Sequence, residues 1–411
     1  MGAHALLAPS SAKRWMTCAP SARLEAAVPD KSTSFSREGS IAHGMAEFIL
    51  GCLLVEKYDH VPDNIAGLIR EIQSGKPVST MARGLVKHIE LAEGEGLDAY
   101  EMLETVYENY CRLVYESYLG AQLEDPDAEL FIEARLHLSE FIPEGFGSSD
   151  AVIIYSDTME VFDLKYGKGV KVDATNNPQM MCYALGAYLG PAETFNINFV
   201  KMTIIQPRLR HESTFEMSTA DLMIWAFNEL KPAAEKAFRG DGEQVPGEHC
   251  RFCKVAAQCR KLADHTLKVS KAQTEPGLMC IEELAQLLPH FETIKKWMAS
   301  VEEFALEQAL EGKNVPGFKV VEGRSIRKII DNPAAIAKLD AAGILPENYL
   351  KPAELKTITD LEKMLTKKGF NAILGDLVIK PEGKPALVSV DDPRQPYSKA
   401  NQDFKDIINN I

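Results

Sequence analysis

Asp163 and Lys165, two residues apart at the end of a strand-like run, are the pair in this sequence best suited to phosphoryl chemistry. Hydrolysing a phosphodiester calls for a hard divalent cation that polarises a phosphoryl oxygen and lowers the pKa of water, and carboxylates are the side chains that hold such an ion. Asp163 supplies one carboxylate, and Asp150, closing Gly147-Ser148-Ser149-Asp150 ahead of the preceding run, supplies a second. Alternate residues of a strand share a face, so Lys165 projects beside Asp163, where an ammonium can hold the attacking water or offset developing negative charge. An acid two residues before a lysine occurs six times in the chain, so the tripeptide alone carries little weight. Only at Asp163 does it close a β-patterned run, follow a second acid and precede a helix that carries Gln179 and Tyr183 on one face. His43, on an apolar helix near the N-terminus, can complete the metal's coordination.

Eight cysteines stand at 18, 52, 111, 182, 250, 253, 259 and 280, and only Cys250, Cys253 and Cys259 are close together in sequence. No basic segment precedes an apolar one at the N-terminus, so a secreted disulfide framework is not expected and the triplet fits metal binding or coincidence. Cys52, Cys111, Cys182 and Cys280 read as packing residues.

The elements that must position these residues follow from periodicity. Ser36 to Tyr58 repeats apolar residues at three- and four-residue steps and reads as a helix carrying His43; the helical pattern continues from Asp63 to Gly120. The period changes to two from Leu130 to Ile142, placing Glu133 on the polar face of a strand, and Ala151–Tyr155 and Met159–Leu164 form a hairpin. A Gly- and Lys-rich loop, Tyr166 to Lys171, leads to a helix opened by Pro178 and to a further strand, Phe195 to Gln206. A helix over roughly 219–238 precedes the cysteine triplet, and a strong apolar stripe over 281–311 reads as helix packing. The remainder mixes short strand-like pieces (GFKVV, LVIKP, ALVSV) with helical ones.

Gly39-x3-His43, Glu133, Gly147-x2-Asp150, Asp163-x-Lys165 and Gln179-x3-Tyr183 resemble, in order and spacing, the motifs of the PD-(D/E)XK nuclease superfamily, in its RecB-like branch. The cysteines resemble those of the iron-sulfur members of that branch, such as AddB-type helicase-nuclease subunits and CRISPR adaptation nucleases, with Cys18 leading and Cys250, Cys253 and Cys259 trailing. The likeness covers residues 8 to 265. It implies an α/β fold with a mixed central sheet flanked by helices, a restriction-endonuclease-like core, with an additional α+β C-terminal region. It also implies that His43, Asp150 and Asp163 bind Mg²⁺ or Mn²⁺, that Lys165 is catalytic, that Gln179 and Tyr183 form the helical motif and that Glu133 is an accessory acid. The four cysteines would hold a [4Fe-4S] cluster; zinc is the competing reading, set back because structural zinc sites pair their ligands as two close knuckles. Ser149 stands where the superfamily's namesake residue is proline, a residue that RecB-like members often lack.

On this reading residues 1–272 form the nuclease domain, with a helical insertion over 59–128, and 273–411 a C-terminal region of unassigned role. The expected activity is metal-dependent hydrolysis of DNA, as an exonuclease in phage or bacterial recombination or repair. A non-catalytic DNA-binding or assembly module with the same fold is the rival, and an RNA substrate stays open. With no Walker A sequence, unwinding falls to a helicase partner, and a single-strand-binding or annealing protein is a second partner class. The net charge of −14 over 411 residues excludes a bulk polyanion coat, so DNA contact must be local, with Lys168 and Lys171 its first candidates and Lys201, Arg208 and Arg210 further ones. No apolar run approaches the roughly 18 residues that span a bilayer, and a cytoplasmic protein without membrane contact is expected.

Overall fold

The computed structural model describes residues 5–29, 34–56, 65–271, 281–318 and 320. The chain divides into two compact units, Met1–Val321 and Glu322–Ile411, and the second lies outside the described residues. Of the expected strand-like pieces, GFKVV (317–321) is described only at Gly317, Phe318 and Val320, none of them in a strand; the others, and the packing role of Cys280, lie outside the described residues.

Two short helices, α1 (Ala12–Thr17) and α2 (Ser21–Ala26), precede the long α3 (Ser34–Glu56). The helical layer continues with α4 (Ile65–Gln73), α5 (Thr80–Gly94), α6 (Ala99–Val106) and α7 (Arg112–Glu124). Side-chain caps start several of these elements: Ser79 accepts from Ala82 N at the head of α5, and Asp98 from Glu101 N at the head of α6. A π-helical turn, Tyr107–Cys111, joins α6 to α7.

The sheet then forms from β1 (Glu129–His137), β2 (Phe146–Tyr155) and β3 (Thr158–Leu164), all antiparallel neighbours. The helix α8 (Pro178–Tyr188) crosses over to β4 (Phe199–Gln206), which therefore runs parallel to β3, and β5 (His211–Ser218) closes the sheet antiparallel to β4. The order is β1-β2-β3-β4-β5, a mixed five-stranded sheet in an α/β unit. After it come α9 (Thr219–Trp225), α10 (Lys231–Arg239), α11 (Arg260–Lys271), α12 (Ile281–Leu287) and α13 (Phe291–Leu310). A second π-helical turn, Ala226–Leu230, separates α9 from α10 where the sequence pattern predicts one helix.

Strands with both faces buried explain two cores. Met45, Ile49, Leu53, Tyr110, Val114 and Phe162 belong to the core between the helical layer and the sheet. Trp15, Leu136, Val161, Met180 and Leu222 belong to the core on the sheet's other side, with α1 and α8. Each such fully buried side chain contributes about 1.5–3 kcal/mol over exposure. The periodicity fails to announce β5 because HESTFEMS offers only Phe215 and Met217 as large apolar residues and every second position is exposed. An edge strand with one solvated face needs no more.

The helix α3 corrects one expectation. Ser36–Glu56 is long and apolar enough by composition to cross a membrane, with mean hydropathy 1.3 in its most apolar window. Interspersed Gly, Ala and Ser hide this from a search for unbroken large apolar runs. Ala42, Met45, Ala46, Ile49 and Leu53 place one side of the helix in the core.

Close approach of α8 to β1 rests on Gly186, because a Cβ there would lie 2.8 Å from Leu136 Cβ. Gly186→Ala is expected to destabilise the unit by about 1–3 kcal/mol, the usual cost of overpacking. A lowered urea midpoint at unchanged m-value checks it; an unchanged midpoint would show that α8 can shift freely.

Candidate metal centre and cysteine site

The β1–β2 ladder pairs Ile132 with Ala151 and Ala134 with Ser149, and the position it skips is occupied by Glu133 and Asp150. The β2–β3 ladder ends at Ala151–Phe162, so Asp163 stands one residue beyond that pair, level with Asp150. Three acids thus fall on one line across three adjacent strands. Like charges in directly opposed positions destabilise a sheet, so the line is costly unless something positive lies on it.

The backbone is distorted along this line. Glu133 has φ +48°, a left-handed conformation rare for a non-glycine residue. The inward–outward alternation shifts at the same place: Ile132 packs against the helical-layer core and Ala134, two residues on, against the opposite one. In undistorted β1, residues two apart would share a face.

His43 reaches the line from α3, its Nδ1 3.1 Å from Asp150 Oδ1. The other oxygen of Asp150 accepts from the backbone N–H of Leu164 at 2.6 Å, which fixes the carboxylate against β3. One donor atom each from His43, Glu133 and Asp150 lie within 4.8 Å of one another, the convergence a divalent cation needs. Asp163, only 2% exposed, turns to other partners. Lys165 Nζ donates to its Oδ1 at 3.1 Å and lies 2.9 Å from Oδ2, which accepts no well-aligned hydrogen bond. Gln179 Nε2 also donates to Asp163 Oδ1 at 3.1 Å and lies 3.0 Å from Tyr183 Oη. Helix α8 presents both residues because Asn177 caps its first turn, accepting from Gln179 N, and Pro178 occupies the position where no N–H is required.

The electrostatics follow from this crowding. Burial, then the charge of Asp150, pushes Glu133 up to about 7, against the opposing pull of His43. Burial also raises Asp163, assisted by Asp150 and opposed by Lys165. For His43 burial acts downward, yet the hydrogen bond and charge of Asp150 prevail and its pKa is raised. A carboxyl whose folded-state value lies above its unfolded value stabilises the fold while protonated; that contribution fades as pH rises from 4.5 through 7. Without metal, Glu133→Gln is therefore expected to exceed wild type in stability at pH 8 by about 1 kcal/mol, a figure reduced for partial exposure. The gap should close near pH 5; a pH-independent gap in thermal unfolding would contradict the assignment.

One neighbour escaped the sequence reading. Tyr110 lies within the Tyr107–Cys111 π-turn, wholly buried, and its hydroxyl has no hydrogen-bond partner among the described residues. Its pKa is raised well above the ordinary value by burial and then by Asp150, with Asp163 and Glu133 contributing. Position in an apolar helical stripe is all the sequence showed; π-turns are enriched at functional sites, but their register is invisible to periodicity.

The remaining predicted residues lie elsewhere. Lys168 and Lys171 are exposed in the loop after β3. Lys201 pairs with buried Glu160, and Arg208 with Glu38 of α3 while its guanidinium stacks 5.1 Å from the Tyr166 ring, so neither is a free surface cation.

Cys18, Cys250, Cys253 and Cys259 line one small cavity between the N-terminal helices and the segment after α10. None is in a disulfide. Burial raises the Cys250 thiol and pushes Cys253 up to about 12. Among the described residues no three of these thiols come mutually within 4.8 Å. Four thiolates around one zinc ion would stand ~3.8 Å apart, given Zn–S near 2.3 Å.

A solved structure titled "Crystal structure of SSO0001" is similar to the chain at 15% identity, over 52% of this chain and 95% of that one, with a TM-score of 0.21. A likeness that weak carries no argument about fold or chemistry. A family model described as "Protein of unknown function (DUF2800)" matches residues 4–395. With nearly its whole length matched, the chain belongs to that family.

Proposed function

We propose that the protein is a Mg²⁺- or Mn²⁺-dependent deoxyribonuclease of the PD-(D/E)XK type, its core restriction-endonuclease-like and its RecB-like motifs those recognised in the sequence. The observation that carries the reading is the line Glu133–Asp150–Asp163, met by His43 from α3 and by Lys165 at its end. Acids this crowded are stabilised by a divalent cation, and His43, Glu133 and Asp150 provide converging donors for one. A cation bound there supplies Lewis-acid polarisation of a phosphoryl oxygen and a lowered pKa for water. Asp163, with one oxygen lacking a well-aligned donor, is the further carboxylate available to it.

The protein's own groups have separable tasks. Lys165, held by Asp163, places an ammonium where negative charge develops during in-line attack. Gln179 fixes Asp163 and is itself fixed by Tyr183, so the acid keeps one orientation as substrate enters. Lys168 and Lys171 stand in the exposed loop that follows β3 and Lys165 and suit a passing phosphate backbone. The four cysteines are assigned to a [4Fe-4S] cluster because all four line one cavity and the motif resemblance implies that ligand set. The cellular setting, phage or bacterial recombination or repair beside a helicase or a single-strand-binding protein, is proposed from the motif resemblance.

End-labelled linear DNA and covalently closed circles, each incubated with Mn²⁺, test the exonuclease form. Loss of label from linear DNA with intact circles is expected. Equal cleavage of circles would make the enzyme an endonuclease, and RNA cleaved in preference to either would overturn the substrate assignment.

A further inference from the structure

Around the four cysteines the structure holds two features that the motif resemblance does not account for. The first is an ion pair joining the N-terminal helices to the cysteine loop. Arg14 of α1 and Glu25 of α2 meet with Nε 2.9 Å and Nη2 2.8 Å from Glu25 Oε2. Glu25 is 7% exposed, so the pair is largely withdrawn from water, where leaving either partner alone is expensive. Both residues use their remaining capacity on the backbone either side of Cys253: Arg14 Nη1 donates to Phe252 O at 3.1 Å, and Glu25 Oε1 accepts from Lys254 N at 2.7 Å. These contacts span 238 and 229 residues of sequence. Arg14 is also tied to the leading cysteine, whose N–H donates to Arg14 O at 2.8 Å.

The second feature is Ser21, at the head of α2. It lines the same cavity as the four cysteines, is 2% exposed, and its Oγ has no hydrogen-bond partner among the described residues. A buried hydroxyl left without a partner costs about 1–3 kcal/mol, so its retention at this cavity points to an acceptor that occupies the cavity. Four cysteine side chains line that same cavity, so the acceptor that fits it is a sulfur-liganded group.

We infer that Arg14, Glu25 and Ser21 are the positioning residues of the four-cysteine site: the Arg14–Glu25 pair clamps the Cys250–Cys253 loop onto α1 and α2 beside Cys18, and Ser21 donates a hydrogen bond to the sulfur-liganded group. The clamp makes the site ready before loading, since Cys253 is held from both sides by groups that are not ligands. Ser21 tunes what is bound, because hydrogen bonds to cluster sulfurs stabilise the reduced state and raise the potential. The inference rests on the assignment of the four cysteines to an iron-sulfur cluster.

The test is anaerobic reconstitution of the full chain with iron(II) and sulfide, comparing wild type with Glu25→Gln, Glu25→Ala and Ser21→Ala. Iron and sulfide content, cluster lifetime under excess chelator and reduction potential are read on each. Wild type should take up about four iron and four sulfide per chain. Both Glu25 variants should lose the cluster to chelator roughly 10–100-fold sooner, the usual effect of removing an outer partner of a ligand, with helix content by circular dichroism retained in Glu25→Gln. Ser21→Ala should load fully and show a more negative potential. If wild type binds no iron and sulfide, the cluster assignment itself fails. If wild type loads but the Glu25 variants match it in lifetime, the clamp is refuted. An unshifted potential in Ser21→Ala refutes the hydrogen bond.

Discussion

Lys165→Ala is expected to lower the single-turnover rate of DNA cleavage by about 10³-fold while leaving Mn²⁺ affinity within a few-fold of wild type. The reasoning is geometric. Lys165 Nζ touches Asp163 through both oxygens, at 3.1 and 2.9 Å, and is not among the converging donors His43, Glu133 and Asp150. Its removal deletes charge compensation at the reacting phosphate without dismantling the metal set. Asp163→Asn should fail differently: the variant keeps its size and can still accept from Gln179, but it loses the negative charge, so both rate and metal affinity should fall. Lys165→Arg should recover little, because the longer planar guanidinium pairs with both Asp163 oxygens in its own geometry and no longer sets a compact ammonium at the reacting phosphate. A Lys165→Ala enzyme that cleaves at wild-type rate would remove the lysine from the mechanism.

The second large effect concerns stability. Cys18 and Cys250 are more than 200 residues apart in sequence yet border one cavity, so a group bonded to both closes most of the domain into a loop. By the chain-entropy argument for cross-links, such a closure stabilises the fold by about 5 kcal/mol at most. Cys18→Ala in cluster-loaded protein should therefore unfold at markedly lower urea concentration than wild type, and the two should converge once the cluster has been stripped from both. A difference that survives stripping would mean that Cys18, which is buried, contributes by packing alone.

The helices and strands that carry the site were legible because their patterns are local. The stripe in α3, the hairpin of β2 and β3, and the capped start of α8 each announce themselves within a dozen residues. Those patterns bring His43, Asp163, Lys165, Gln179 and Tyr183 to the positions described. What the sequence did not disclose depends on register and backbone angle. Asp150 reads as the end of a polar turn, yet β2 begins at Phe146 and Asp150 lies inside it, because Gly147, Ser148 and Ser149 have little strand propensity and are paired only through Arg135, Leu136 and Ala134. Glu133 reads as an ordinary polar strand residue, and its left-handed backbone, which accompanies its approach to Asp150 and His43, has no signature in composition. The Arg14–Glu25 clamp joins segments too far apart for any periodicity to link.

The central claim is that this line of acids is a metal centre that cuts DNA. It is tested most directly by one assay: end-labelled linear DNA incubated with folded, cluster-loaded protein in Mn²⁺, in Mn²⁺ with excess chelator, and in Mn²⁺ with Asp150→Ala in place of wild type. The account predicts cleavage in the first reaction only. No cleavage by wild type, or cleavage that persists with chelator or with Asp150→Ala, would contradict it.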